Sequence, residues 1–404
     1  MSKLAKGWKK EEIASLCQKP QYGYTSKSEN RQNNNPKYFR TTDITKEKFD
    51  WDSVPYCIAP VKNEERYLIR KGDIFITRAG SVGENILIKD TPPRAVFASY
   101  LIRIKSLDRI SNLYLSYYFQ SPFFWNYIAE KKDGITTPNV NAQKLANIEV
   151  PYPESKGEQN LIIEEIETQF THLDAAVKFL NAVKKKLDVY RNGVLKAAFK
   201  GELTKLQGGL VDRTLSEEFE IIMGQSPKSK YYNKSGEGLP FFQGKKEFSK
   251  LYPKIETWST KASKIAGKGD VLLSIRAPIG SVNIAPSKCG IGRGLAAIKP
   301  NEKTRSKLIF YLLQILRNEL KKKGTGTTFK AITKPNLYSL SIKLPKTKKD
   351  RGLLLKKIEF HFSVIGKIEQ AVDSALLKSE QLRKSILKSA FEGRLVKYEG
   401  GSHD

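Results

Sequence analysis

The sequence predicts an α+β protein. Two similar α+β domains are separated by two long helices that pair as an antiparallel coiled coil, and the whole is an internal pseudo-repeat. Three observations predict this. An ending occurs twice: residues 194–203 read VLKAAFKGEL and residues 386–395 read ILKSAFEGRL. Sliding 158–204 onto 350–396, an offset of 192, matches Leu161, Ile166, Glu167, Phe170, Lys186, Arg191, Leu195, Lys196, Ala198, Phe199, Gly201 and Leu203 with identical residues. Twelve identities in 47 ungapped positions, concentrated at the ending, are too many for two unrelated helices. Each ending also closes a polar stretch with a seven-residue apolar repeat. Each stretch in turn follows a segment of short apolar runs that read as strands.

The first domain is expected over 1–155. Its strands include Ile74-Phe75-Ile76-Thr77 and Tyr100-Leu101-Ile102-Arg103-Ile104. One helix is expected around 111–130, where Leu113, Tyr117, Phe124 and Ile128 recur at helical spacing. The second domain, 205–348, repeats the scheme with strands at 271–275 and 295–298 and a helix over 305–322. Lys71-Gly72-Asp73, a strand and Arg78-Ala79-Gly80-Ser81-Val82-Gly83 in one half answer Lys268-Gly269-Asp270, a strand and Arg276-Ala277-Pro278-Ile279-Gly280 in the other. Gly134-Ile135-Thr136-Thr137 likewise answers 324–328, GTGTT. A proline, Pro151 or Pro345, then precedes each helix.

The helices are expected over 156–204 and 349–400. In the first, Ile166, Leu173, Leu180, Leu187 and Val194 fall seven apart, with Phe170, Val177 and Ala198 between them. Ile358, Phe362, Ile365, Val372, Leu376, Ile386 and Ala390 hold the equivalent places in the second. Such a repeat argues for a coiled coil, with Lys184, Arg191, Glu369 and Arg383 interrupting the seam. Gly201 and Gly393 are suited to end the helices. Some forty residues make a rod of roughly 60 Å. An antiparallel pair keeps the connection through the second domain short and places the two domains at opposite ends.

With 404 residues and 39% hydrophobic content the chain has ample core for two domains. Against 42 acidic residues stand 71 basic ones, a formal charge of +29. So large an excess, spread over the whole chain, calls for a polyanion, and nucleic acid leads. A membrane surface is the rival, but its binders concentrate charge on one helix or tail. No signal peptide and no membrane span is read, so the expectation is a soluble, cytoplasmic protein. Cys17, Cys57 and Cys289 are isolated, which suits buried free thiols.

Catalytic motifs are missing. His172, His361 and His403 sit in helices or the tail, and no HExxH, GxSxG, Walker or zinc spacing occurs. The run 289–294, CGIGRG, precedes a strand rather than a helix, so it reads as a turn and not a phosphate loop. No catalytic residue, cofactor or metal is expected.

What remains are loops that combine cations, amides and aromatics, the side chains suited to base edges and phosphates. In the first domain the candidates for DNA contact are Tyr22, Tyr24, Lys27, Arg31, Asn33, Lys37, Arg78, Ser81, Thr136 and Thr137. In the second they are Gln225, Ser226, Lys228, Lys230, Tyr231, Gln243, Lys245, Arg276, Thr327 and Thr328. Any one such loop reads by default as solvated surface; their pairing in both halves is what points to nucleic acid. Arg78 and Arg276 stand out, each following an apolar strand and opening a glycine-containing turn. The alternative for each is an arginine stacked on its own domain.

At this point the chain resembles a specificity subunit of a type I restriction-modification enzyme. The resemblance spans nearly the whole chain. It rests on the GQSP opening (Gly224–Pro227), the KGD-strand-arginine-turn pattern, the GTT turn and, above all, the repeated LKxAFxGxL ending. The first domain lacks GQSP, and the proline-Glu-Gln that often opens the helix is loosened at 153–159 and replaced by Asp350-Arg351 in the second copy. The resemblance implies two target recognition domains, each reading one half of a split double-stranded DNA target, and helices that set the half-site spacing. It further implies that the helices dock methylation subunits, expected to be two, through Leu195, Phe199, Leu387 and Phe391. Restriction subunits would join through the complex, with no catalysis by this chain. The alternative is a non-catalytic basic DNA-binding scaffold without sequence specificity, which a comparison of random and cognate duplexes would separate.

Overall fold

In the computed structural model the described residues are 4, 7–45, 49–132, 139–325 and 330–396. The chain divides into two compact units, residues 1–180 with 374–404, and residues 181–373. Each unit holds one globular domain and one stretch of both long helices.

In the first unit a four-stranded antiparallel sheet runs in the order Gln21–Tyr22, Leu101–Ile104, Ile74–Thr77, Asn85–Leu87. A second sheet runs Ser28–Glu29, Tyr56–Cys57, Lys37–Phe39, Ala95–Phe97, its last pair parallel. Every residue of Ile74–Thr77 is buried because both faces of that strand are covered. Ile74 and Ile76 face a core that includes the helices, and Phe75 faces Phe39 and Phe97 of the second sheet. A two-stranded ribbon, Trp8–Glu12 with Glu149–Pro153, leads into the first long helix, Lys156–Lys200.

The second unit repeats the plan. Its antiparallel sheet runs Glu220–Met223, Leu295–Lys299, Val271–Ser274, Val282–Ile284. Again Val271 and Leu273 face one core and Leu272 another. A five-stranded sheet lies beside it, and the ribbon Leu210–Thr214 with Ser341–Pro345 leads into the second long helix, Lys348–Phe391. The helix expected over 111–130 is two helices, Asn112–Tyr118 and Pro122–Lys131. Pro122 has no N–H to continue the first, and Ser121 caps the second through the Phe124 N–H. The 305–322 segment is likewise split, Ser306–Ile315 and Arg317–Lys323.

The long helices run antiparallel, and in the second unit contacts climb one helix as they descend the other. Asp174 meets Arg383 in the first unit; in the second, Lys184 meets Asp373 at 2.6 Å and Arg191 meets Glu369 at 3.0 Å. Lys184, Arg191, Glu369 and Arg383 are therefore cross-helix ion pairs. Partly exposed pairs contribute little stability, ~0–1 kcal/mol each, but they reject shifted registers. Both helices end at a glycine with positive φ, Gly201 at +80° and Gly393 at +70°. There the N–H of the next residue bonds five residues back, Glu202 to Ala197 and Arg394 to Ser389.

Candidate nucleic-acid interface

One end of each antiparallel sheet is laced by the same set of backbone hydrogen bonds. In the first domain Gly23 N–H donates to the Leu101 carbonyl, Tyr24 to Phe97, Ala98 to Phe39, Leu101 to Ala98 and Arg78 to Tyr100. In the second, Gly224 donates to Leu295, Gln225 to Ile291, Gly292 to Phe242, Leu295 to Gly292 and Ile275 to Gly294. The bonds correspond one to one. They make Gly23-Tyr24-Thr25-Ser26 the counterpart of Gly224-Gln225-Ser226-Pro227, so the first domain does carry this opening with other side chains. Only the glycine is required. A Cβ on Gly23 would lie 2.3 Å from the Phe97 carbonyl, and one on Gly224 would lie 2.2 Å from that of Gly292.

The same bonds correct the pairing of Arg78 with Arg276. Arg78 corresponds to Ile275, and Arg276 corresponds to Ala79, whose bridge to Asn139 matches that of Arg276 to Ala331. In extended chain a shift of one residue turns a side chain to the opposite face. The guanidinium of Arg78 accordingly lies 4.6 Å from the centre of the Tyr22 ring, whose hydroxyl accepts the Ala142 N–H. Arg276 is exposed, and Ile275 beside it is buried. KGD is a folding device: Gly72 and Gly269 both have φ +90°, and Asp73 and Asp270 accept the N–H of Arg70 and Gly267.

Other expected contacts divide into two kinds. Lys27, Arg31, Ser81, Gln225, Lys228, Lys230, Gln243, Lys245 and Arg276 are exposed. Several more are committed to their own loops. The Asn33 amide donates to Glu29 and to the Cys57 carbonyl, Lys37 reaches the Val54 carbonyl over the Tyr56 ring, and Tyr24 packs on Tyr67. Ser226 Oγ accepts the Arg293 N–H. These four hold the loops rather than reach outward. Tyr231 sits between Lys230 and Lys261, at 5.3 and 5.0 Å, so Lys261 joins the surface without any motif to announce it. Tyr100, 61% exposed at the turn beside Arg78, was hidden in the sequence by reading as part of a strand. Thr136, Thr137, Thr327 and Thr328 lie outside the described residues.

The run CGIGRG is strand Cys289–Ile291 and the turn that follows it. All three cysteines are free and buried, and burial pushes the Cys17 and Cys289 thiols up to about 12. At the repeated ending the side chains expected to meet a partner lie inside the chain. Leu195, Phe199, Leu387 and Phe391 are buried in their own units, at 2, 7, 2 and 2% exposure. Phe391 packs edge-on against Tyr114 and Tyr118, 5.2 Å from each ring. The ending is specific in sequence because it fits a core.

The type I restriction modification DNA specificity domain matches this chain twice, over residues 5–185 and 208–362. The chain belongs to that family. A protein of Methanocaldococcus jannaschii that bears the name of the type I restriction enzyme MjaX specificity subunit is 29% identical, over 98% of this chain and 95% of that one. The type I restriction enzyme StySPI specificity subunit of Salmonella potsdam is 23% identical, over 88% and 82%. Among solved structures, a chain from a study of complex assembly and conformational transition in a type I R-M system superposes with a TM-score of 0.78. It is 26% identical and covers 98% of this chain and 100% of that one. The HsdS subunit of Thermoanaerobacter tengcongensis gives 0.62, also at 26% identity, covering 97% and 98%. For a type I specificity chain the paired frames acquire a meaning: one scaffold presents two different sets of polar side chains.

Proposed function

We propose that this chain is the DNA-binding specificity subunit of a type I restriction-modification complex. Each domain reads one half of a bipartite target in double-stranded DNA. The observation that carries this is the shared frame with divergent side chains: Tyr22, Arg78 and Tyr100 in one domain, Gln225, Gln243 and Arg276 in the other. Arginine and glutamine match guanine and adenine edges in the major groove, and the excess of 29 positive charges suits the phosphates. The chain itself contributes no chemistry; methylation subunits, and restriction subunits through the complex, supply it. Because the repeated ending is buried, methylation subunits meet the exposed apolar residues of the helices instead. Leu161 and Leu353 are identical at the 192-residue offset and 49% and 38% exposed. Phe360, Val364 and Ile368 form a further stripe four residues apart.

The test is a domain exchange in the assembled methylating complex. Replacing residues 1–155 with the matching domain of a relative changes one half of the methylated sequence and leaves the other intact. Changes in both halves would contradict the division of labour. Binding must also be salt-steep, log affinity falling with log salt by about −0.9 for each phosphate neutralised. A scaffold without specificity gives the same slope but binds random and cognate duplexes alike.

A further inference from the structure

We infer that the turn Gly292-Arg293-Gly294 is a specificity-determining element of the second domain, with Arg293 contacting a base edge. This deepens the proposed function and rests on it. Arg293 belongs to a run that carries no phosphate-loop geometry, and its place emerges only from the packing around it.

Three segments converge on the turn. Gln225 N–H donates to the Ile291 carbonyl, Ser226 Oγ accepts the Arg293 N–H at 3.1 Å, and Gly292 N–H donates to the Phe242 carbonyl. On the other side Ile275 N–H donates to the Gly294 carbonyl, which brings Arg276 to the same edge. Gly294 has no room for a side chain, and Gly292 is tightly packed. A Cβ on Gly292 would lie 3.1 Å from Ser226 Oγ and 3.2 Å from Gln243 Cα, and one on Gly294 would lie 2.2 Å from the Gln243 carbonyl. Arg293 is thus the residue in this turn with room for a side chain. That side chain is exposed and has no hydrogen-bond or ion-pair partner among the described residues. Its backbone is fixed while its guanidinium is free, and Gln225, Gln243 and Arg276 each stand just beyond the end of an adjoining strand. A rigid turn carrying a planar donor fork fits bidentate recognition of guanine O6 and N7.

The first domain supports the assignment independently. The same bonds hold the turn Ala98-Ser99-Tyr100 there, so Ser99 stands where Arg293 does and Tyr100 where Gly294 does. One frame therefore offers a serine and an exposed tyrosine in one domain and an arginine between two glycines in the other. A frame held constant around side chains that differ is what two domains reading different half-sites require.

The experiment uses the full chain in its methylating complex and a library of duplexes randomised at one half-site at a time. Arg293→Ala and Arg293→Lys are compared with the unaltered chain, and the melting temperature is recorded for each. Expected for Arg293→Ala is a loss of discrimination of about 5- to 150-fold, confined to one or two adjacent base pairs of the second domain's half-site. Arg293→Lys recovers affinity but not full discrimination, because lysine lacks the fork. The melting temperature stays unchanged, since the Arg293 N–H still meets Ser226. A uniform loss across all sequences, with a salt slope shallower by about one contact, would make Arg293 a phosphate ligand and overturn the assignment. Full discrimination in Arg293→Ala overturns it as well. If the unaltered complex shows no sequence preference, the proposed function fails and the inference falls with it; if preference is intact and only the Arg293 effect is missing, the inference alone fails.

Discussion

Arg276 is exposed with no side-chain partner among the described residues, whereas Arg78 rests on the Tyr22 ring and reaches toward Asn139 at 3.5 Å. The two arginines are thus predicted to respond differently to removal. Arg276→Ala should leave stability within ~0.5 kcal/mol, as surface substitutions do, and weaken cognate binding by ~1–3 kcal/mol. Arg78→Ala should lower the melting temperature as well, because a cation–aromatic contact worth ~0.5–1 kcal/mol is lost with it. Thermal unfolding and duplex titration of both variants check this. Equal thermal effects would mean that the one-residue stagger has no energetic weight. In the sequence both arginines follow an apolar strand, so nothing there separates them. The difference is which face of the strand each occupies, and hydrogen-bond register alone fixes that.

Each long helix is fastened to its domain by a buried polar side chain at its first turn. Gln159, fully buried, accepts the Ser111 N–H and donates to the Arg109 and Pro153 carbonyls. At the equivalent place Arg351, 3% exposed, donates to the Pro345 carbonyl, to Glu218 and to Thr304. What looked like a loosened helix opening is the same anchor, with the proline carbonyl as its shared acceptor. Burial pushes the Glu218 carboxyl up, but the hydrogen bonds from Arg351 and Asn301 and the charge of Arg351 outweigh it and hold it below the ordinary carboxylate range. A depressed folded-state value means the pair stabilises fully above the unfolded value, about 4.3, and that this is lost as pH falls through the folded one. Arg351→Ala leaves burial opposed only by the Asn301 hydrogen bond and the charge of Arg213, so the carboxyl moves up toward or past its unfolded value and the pH-dependent stabilisation shrinks. The variant should be ~3–5 kcal/mol less stable at neutral pH and recover part of the deficit on acidification. Denaturant unfolding between about pH 2.5 and 8 measures it, the deficit shrinking below about pH 4.3; a deficit that does not shrink with acid would remove Glu218 from the account. The element boundaries follow the same local logic, since Pro122 splits a helix that apolar spacing alone reads as one.

For the molecule as a whole, the proposal that the paired helices set half-site spacing has a structural handle in the Lys184–Asp373 pair. Inserting one whole heptad beside Lys184, with a matching heptad beside Asp373, preserves the seam and the ion pairs on either side. The added rise of roughly 10 Å should lengthen the spacer by about three base pairs, with both half-sites unchanged. Mapping methylated sites in the altered complex reads this directly. A folded, methylating variant with its old spacer would assign the ruler to something other than the helices.

Read alone, the sequence showed the duplication, the α+β class, the heptad helices with their glycine stops and, through a charge of +29, a polyanion as the expected partner. Each of these rests on periodicity, composition or local backbone preference, which a chain displays along its length. Only the tertiary structure decided that Gly23 answers Gly224, that Arg276 answers Ala79, that Leu195 and Phe391 are core, and that Arg293 is held at the convergence of three loops. These are facts of register and packing. They depend on which segments far apart in the chain share a hydrogen bond, and a strand read alone shows its alternation but not which face meets the protein and which is left for DNA.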